Sequence, residues 1–221
     1  VTSATSAVVL AGGRSRRLGQ DKRALRLASN LTLLETTISR VQSVADDVVV
    51  VGARDLITDA RPRVRWIADA VPESGPLAGL VAGLDAIRHE FAVVVACDLP
   101  LLNPDLLHAL ADWPRSYDLL VPRRADGTLE MLHAVYRVTC RGVARRSLEE
   151  RRLRLSELAD AVASAGLIVE MIEERALQPI DPTLSSFFNV NTPVDLQLAR
   201  RLIGETAGYE SCENSVCRNE P

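Results

Sequence analysis

Short apolar runs alternate along the chain with stretches in which apolar residues recur every three or four positions. The run Ala7–Ala11 predicts a first strand, the spacing over Leu33–Val44 a helix, and Val48–Val51 a second strand. Val64–Ile67 reads as a third strand. Leu77, Leu80, Val81, Leu84 and Ile87 share one face of a helix opened by Gly75-Pro76. Phe91–Cys97 is the most strongly apolar run and is expected to be buried on both faces. The next helix carries start and stop marks: Asn103 as N-cap, Pro104 at the first position, Leu106, Leu107 and Leu110 facing inward, and Pro114 closing it. Asp118–Val121 and Leu132–Tyr136 read as further strands. Ser156–Ala165 reads as a helix ended by Gly166, with Leu167–Ile172 as the strand that follows.

Strands that alternate with helices and are apolar throughout point to an α/β fold, with a mostly parallel central sheet between two helical layers. Such sheets bind ligands beyond the carboxyl ends of their strands, where the strand order reverses. Composition changes after Gly204, where large apolar residues become scarce. Residues 1–203 are therefore expected to form one domain and 204–221 a polar tail.

At 221 residues with 47% apolar and 25% charged content, the chain suits one large soluble domain. No apolar stretch reaches the roughly 18 residues of a membrane span, and the start does not resemble a signal peptide, so a cytoplasmic protein is expected. The net charge of −3 gives no support to nucleic-acid binding. Four cysteines are too few and too scattered for a disulfide framework. Cys97 closes an apolar strand and reads as a core residue. Cys212 and Cys217 share the tail with no histidine nearby, which fits incidental thiols better than a metal or redox pair.

Chemistry concentrates in three places. The first is Leu10-Ala11-Gly12-Gly13-Arg14-Ser15-Arg16-Arg17-Leu18-Gly19-Gln20-Asp21-Lys22, directly after the first strand. Adjacent glycines let the backbone turn sharply and bring N–H groups close to a ligand, and the basic residues add positive charge suited to a triphosphate. All but one of the 26 basic residues are arginine, and the exception is Lys22, a compact ammonium among planar guanidinium groups. There is no Gly-x-Gly-x-x-Gly and no glycine-lysine followed by serine or threonine, so neither dinucleotide nor Walker-type binding is indicated. Residue chemistry alone equally allows a tight connection with a solvated basic loop.

The second place is Ala96-Cys97-Asp98-Leu99-Pro100, where Asp98 stands at the end of a buried strand. A carboxylate there is a suitable hard ligand for Mg²⁺, or it caps a turn. The third is Phe187-Phe188-Asn189-Val190-Asn191-Thr192-Pro193-Val194-Asp195-Leu196. Thr192, Pro193 and Asp195 fit the N-cap, first and third positions of a helix. Capping leaves Asn189 and Asn191 unexplained, on the same side of a short predicted strand, where two amides could read a polar ligand.

Taken together, these residues resemble the molybdenum cofactor guanylyltransferase family, nucleotidyltransferases with a Rossmann-like fold. The family signature runs Leu-Ala-Gly-Gly, small and basic residues, Met-Gly and Asp-Lys. Here it stands as Leu10 to Lys22, with Leu18 in the methionine place. The resemblance continues in Gly75-Pro76-Leu77-Ala78-Gly79, Cys97-Asp98-Leu99-Pro100, Leu132-His133-Ala134-Val135-Tyr136 and Asn189 to Leu196, and so spans residues 6–203 in order.

The resemblance implies transfer of GMP from Mg·GTP to the terminal phosphate of a molybdopterin cofactor, with release of pyrophosphate. It implies that the backbone of Leu10, Ala11, Gly12 and Gly13 cradles the nucleotide, and that Lys22 and Arg17 contact its phosphates. Asp98 would hold Mg²⁺, Asp69 would contact the nucleotide, and Asn189 and Asn191 would face the pterin acceptor. Transient contact with proteins that donate or accept the cofactor is implied as well. One departure is Val51-Gly52-Ala53-Arg54, where many members place an asparagine just after the second strand.

A cytidylyl-transferring relative carries alanine where this chain has Gly12, so the Gly12-Gly13 pair favours guanine through resemblance. A non-catalytic adaptor that binds cofactor or nucleotide would have no need of Lys22 and Asp98 together. The acceptor phosphate is already an anion at neutral pH, so the reaction needs no Ser–His type base, and none of the three histidines accompanies a nucleophile motif. Loss of the single ammonium is expected to be costly. Lys22→Ala should lower turnover by roughly two to three decades in a steady-state assay of pyrophosphate release, the cost of removing one electrostatic stabiliser. Turnover within a few-fold of wild type removes Lys22 from the mechanism.

Overall fold

A computed structural model of the chain describes residues 4–12, 24–27, 31–52, 63–68 and 75–203. Gly13, Arg17, Lys22, Asp69 and the tail with Cys212 and Cys217 lie outside the described residues.

Seven strands form one sheet: β1 (Ser6–Leu10), β2 (Asp47–Val51), β3 (Val64–Ile67), β4 (Phe91–Ala96), β5 (Leu119–Arg123), β6 (His133–Arg137) and β7 (Val169–Glu173), in the order β3-β2-β1-β4-β6-β5-β7. β1 pairs in parallel with β2 and β4, β2 with β3, and β5 with β7. β6 runs antiparallel between β4 and β5. Every residue of β1, β2 and β4 is buried. That is what near-continuous valine runs require when helices cover both faces.

The helices are α1 (Leu33–Val41), α2 (Pro76–Ala86), α3 (Pro104–Ala111), α4 (Cys140–Glu149), α5 (Leu158–Ser164), the single turn α6 (Glu174–Leu177) and α7 over residues 193–203. Leu34, Ile38 and Val41 of α1 join Leu106, Leu107 and Leu110 of α3 against one face of the sheet. Leu77, Leu80 and Leu84 of α2, Val143 of α4 and Leu158 and Val162 of α5 cover the other. The structure is thus the expected three-layer α/β architecture with a mostly parallel central sheet. α7 packs apart, through Leu196 and Ala199, on Val190, Leu25, Leu27 and Leu33.

Several boundaries differ from expectation for local reasons. α1 stops at Val41 and gives way to a turn over 42–44, instead of running to Val44. The Ser156–Ala165 stretch starts as a 3₁₀ turn (Leu155–Glu157) before α5, and Gly166 takes a left-handed φ of 79° as its predicted terminator. α4 was not expected from the pattern. Its inner face is Cys140, Val143, Ala144 and Ser147, helical in spacing but small and only weakly apolar.

α2 lies very close to the sheet because of its glycines. A Cβ at Gly83 would stand 2.4 Å from Val8 Cγ1, and one at Gly79 would stand 3.3 Å from Leu10 Cδ2. At the amino edge of the sheet, buried Asp47 accepts hydrogen bonds from Ser6 Oγ, Arg65 and the Arg88 amide. Burial alone would raise its pKa, but the bonds from Ser6 and Arg65 outweigh it and hold the carboxyl low.

His133, at the start of β6, is 1% exposed, with the Ser186 backbone and Asp181 beside its ring. Its ring meets Phe187 edge to face at 4.8 Å. Burial pushes its pKa from 6.5 down to about 4, so the native ring stays neutral. The unfolded chain takes up a proton near the ordinary value while the native state does not. Stability therefore falls as pH drops through that window, by about 2 kcal/mol between pH 7 and pH 5. Urea denaturation at the two pH values should show this loss, and His133→Leu should remove it. An unchanged pH slope in the variant assigns the loss to other groups.

Candidate functional site

The site is set by where three parallel strands end. Leu10 stands opposite Val51 on one side and Ala96 on the other, so β1, β2 and β4 finish level. The pairing then continues one step past the strands. The Ala11 amide donates to Val51 O at 2.8 Å, the Cys97 amide to Leu10 O at 3.1 Å, and the Gly52 amide to Ile67 O at 3.0 Å. Residues 10–12, 51–52 and 97–98 thus form one rim at the carboxyl edge. β2 and β4 diverge there to opposite sides of β1, which is the switch point where such sheets take their ligands.

The rim depends on Gly52, a residue the sequence marked only as a departure. Its φ is +145°, and a Cβ there would lie 2.9 Å from both the carbonyl carbon and the oxygen of Ala11. The missing side chain lets β2's exit pass against the Leu10–Gly12 turn. Ala11 is buried and Gly12 is exposed, so the chain surfaces at Gly12. Beside it, α2 starts at Gly75 (φ 75°) and Pro76 with no side-chain cap. The first amides of a helix carry partial positive charge and favour an anion.

Asp98 is half-buried at the rim, and its backbone is held from several sides. Its carbonyl accepts from the Val190 amide at 2.9 Å, and the preceding Cys97 carbonyl accepts from Thr37 Oγ1 of α1 at 3.3 Å. The Val190 bond lays the 189–191 segment alongside Asp98. Val190 is fully buried while Asn189 and Asn191 on either side of it are exposed, and Asn189 Nδ2 donates to Phe187 O at 3.4 Å. The segment is extended but joins no strand, which corrects the short strand predicted there. Its hydrogen bond goes to a loop carbonyl instead of a sheet partner.

Two anchors fix this segment. On its carboxyl side, Asp195 Oδ2 accepts from the Asn191 and Thr192 amides at 2.9 and 2.7 Å, and Thr192 Oγ1 accepts from the Asp195 amide at 3.2 Å. That is the predicted N-cap of α7. On its amino side, Phe187 sits between the His133 ring and the Arg124 guanidinium, the latter 5.4 Å from the ring centroid. Arg124 is itself held by Glu130 and Glu174. Burial raises the pKa of Glu130, and Arg124 opposes that rise. Buried Asp181 accepts from the Ser185 and Ser186 amides, and Ser186 Oγ accepts from the Asn103 amide that opens α3.

The structure therefore brings together Leu10, Ala11, Gly12, Asp98, Asn189 and Asn191 of the predicted site residues. Sequence reasoning missed Gly52 as a close-approach position, Thr37, and the seating of Phe187. The first had a visible signal, a glycine at a strand exit, and the other two had none. Among the described residues, no group of three or more His, Cys, Asp or Glu could hold a metal. No helix of the described residues is long and apolar enough to cross a membrane.

With this geometry, relatives can be compared. Residues 7–162 match the model for the MobA-like NTP transferase domain. The chain belongs to that family. It is 38% identical over 211 residues to the probable molybdenum cofactor guanylyltransferase of Chloroflexus aggregans, covering 91% of this chain and 96% of the relative. It is 33% identical to the molybdenum cofactor guanylyltransferase of Desulfosudis oleivorans, over 90% of this chain and 96% of that one. Among solved structures, the molybdopterin-guanine dinucleotide biosynthesis protein A of Archaeoglobus fulgidus superposes with a TM-score of 0.75 at 25% identity, covering 91% of this chain and all of that one. The family and fold expected from the motifs are both borne out.

The close approach at Gly52 makes a direct prediction. Gly52→Ala forces a strained φ and a contact that must shift, so it should destabilise the protein by about 1–3 kcal/mol and weaken GTP binding. Denaturant midpoints and a GTP titration read the two effects. Unchanged values in both would mean that the strand exit and the turn do not meet this closely.

Proposed function

We propose that this protein transfers GMP from GTP to the terminal phosphate of molybdopterin and releases pyrophosphate. The observation that carries the reading is the 2.9 Å bond from the Val190 amide to the Asp98 carbonyl. It puts Asp98 at the switch point, with Leu10–Gly12 on one side and the Asn189–Asn191 segment on the other. A nucleotide on the first and an acceptor on the second would meet beside Asp98.

An oxygen of the acceptor phosphate attacks the α-phosphorus of GTP, and the bond from that phosphorus to the α,β-bridging oxygen breaks. The electron pair leaves with pyrophosphate, and no proton needs to move. The histidines agree with this. His89 is tied to Asp46 at the opposite edge of the sheet, and His133 is sealed in the core. What remains for the chain is alignment and charge stabilisation. The backbone of Leu10, Ala11, Gly12 and Gly13 would cradle the nucleotide, with Asp69 contacting it. Lys22 and Arg17 would neutralise its phosphates, and Asn189 and Asn191 would orient the acceptor.

Asp98 fits a Mg²⁺ ligand by the chemistry of its donor set. Mg²⁺ is typically held by one or two carboxylates, waters and substrate phosphates, and not by an all-protein cage. Bound there, Mg²⁺ would supply positive charge to the phosphates as the new bond forms. One sheet takes its strands from residues 6–173, and α7 packs through Leu196 and Ala199 on a cluster that includes Leu33 of α1, which supports treating 1–203 as one domain.

Pyrophosphate release, measured with Mg²⁺ and purified molybdopterin cofactor against GTP, CTP and ATP, tests the reading. Acceptor-dependent release with GTP alone is expected. Release with CTP instead would keep the mechanism and overturn the base assignment. Nucleotide binding without release under any condition would make the protein an adaptor.

A further inference from the structure

Asp98 can serve the chemistry only if its Cα–Cβ bond points the same way in every molecule, and the backbone around it is held unusually well. Groups on three separate segments make hydrogen bonds to the backbone of residues 97 and 98. Leu10 O, at the end of β1, accepts the Cys97 amide at 3.1 Å. The Val190 amide donates to the Asp98 carbonyl at 2.9 Å. Thr37 Oγ1, in the middle of α1, donates toward the Cys97 carbonyl at 3.3 Å. The first two are backbone bonds that most residue types would supply. The third depends on one side chain.

Thr37 is fully buried on the face of α1 that packs against the sheet, between Leu34 and Ile38. Its hydroxyl also lies 3.1 Å from Leu33 O, the ordinary back-bond of a helical threonine. That back-bond would satisfy the hydroxyl without help from Cys97. A hydroxyl has a single hydrogen, so the two carbonyls share it. The shared geometry means that the group sits between its own helix and the strand exit. Valine would fill the same volume, and its lack of a hydroxyl would cost nothing within α1. A buried hydroxyl in a shape that valine also fits calls for a role at the far carbonyl.

We propose that Thr37 is a positioning residue for Asp98: by holding the Cys97 carbonyl, it fixes the peptide that joins residues 97 and 98 and so aims the carboxylate at the switch point. The role rests on the reading of Asp98 as a metal ligand in nucleotidyl transfer. Removing the hydroxyl takes this bond away and loosens the hold on the 97–98 peptide. Packing of α1 stays nearly as it was.

The test compares wild type with Thr37→Val and Thr37→Ser. Binding of Mn²⁺, used as the spectroscopic probe, is followed by electron paramagnetic resonance in the presence of a non-hydrolysable GTP analogue. Melting temperatures and Mg²⁺-dependent pyrophosphate release are measured alongside. Thr37→Val should weaken Mn²⁺ binding and raise the Mg²⁺ needed for half-maximal turnover by about ten- to a hundredfold, the usual cost of losing a group that orients a metal ligand. Thr37→Ser keeps the hydroxyl and should restore both to within a few-fold. If valine does not fold, Thr37→Ala replaces it in the same comparison.

A valine variant that melts lower yet binds Mn²⁺ like wild type would make Thr37 a structural residue and overturn the inference. So would a serine variant as impaired as valine. Mn²⁺ binding is read apart from transfer. A wild type that binds Mn²⁺ but transfers nothing would therefore overturn the proposed reaction and leave the Thr37 comparison decisive. A wild type that binds no Mn²⁺ beside the nucleotide would remove the metal from Asp98, and this inference with it.

Discussion

The carboxyl end of β1 is the constraint on which the site depends. Leu10 and Ala11 spend their backbone groups on both neighbouring strands at once, the Leu10 carbonyl on Cys97 and the Ala11 amide on Val51. A central strand in a parallel sheet has no freedom to leave its neighbours before its last bond is made. The turn at Gly12, the exit at Gly52 and the exit at Asp98 therefore emerge at one height. Displacing any of them displaces the others. Glycine at 52 is the cheapest solution to the crowding this produces, because any Cβ would meet the Ala11 carbonyl.

The first half of the fold was legible because its physics is local. A strand buried on both faces must be apolar at nearly every position, and β1, β2 and β4 are, apart from Ser6 and Asp47, which bond to each other where β1 and β2 begin. A helix facing one side must repeat every three or four residues, and α1, α2 and α3 do. The second half was harder for stated reasons. The inner face of α4 is built from Cys140, Val143, Ala144 and Ser147, whose contrast with the outer face is faint to any hydropathy pattern. The direction of β6 could not be read at all, since an apolar run buried on both faces looks alike in either direction. Asn189 and Asn191 stand out in the sequence as a pair, but their segment is held by the Asp98 carbonyl, a partner about ninety residues away in sequence. Thr37 lies in no motif, and Phe187 opens one without showing its contacts, because what each does depends on which elements pack together.

The two edges of the sheet have opposite electrostatic designs. At the amino edge, carboxylates are buried and saturated. Asp47 is held by Ser6, Arg65 and the Arg88 amide, and Asp118 by Thr139, the Ile168 amide and Arg137. Both stay ionised despite burial because hydrogen bonds to the charged form outweigh the loss of water. Such groups brace the strands' starts and have little capacity left for a substrate. The carboxyl edge is different: it offers backbone amides, the start of α2 and the carboxylate of Asp98.

That division suits a reaction in which position matters more than proton transfer. Two phosphate groups that repel one another must be brought into line, and the attacking oxygen already carries its charge. A titratable base would add nothing to that step, whereas a shift of about 1 Å in a positioning group can cost a hundredfold in rate. The structure follows this logic down to its histidines: the imidazole nearest the rim, His133, is buried and kept neutral, and it serves by packing against Phe187. Phe187 in turn steadies the segment that carries Asn189 and Asn191. Precision of this kind is inherited from the core, through β1, α1 and the β5–β6 hairpin, and so the residues that govern it extend well beyond those that would touch the nucleotide.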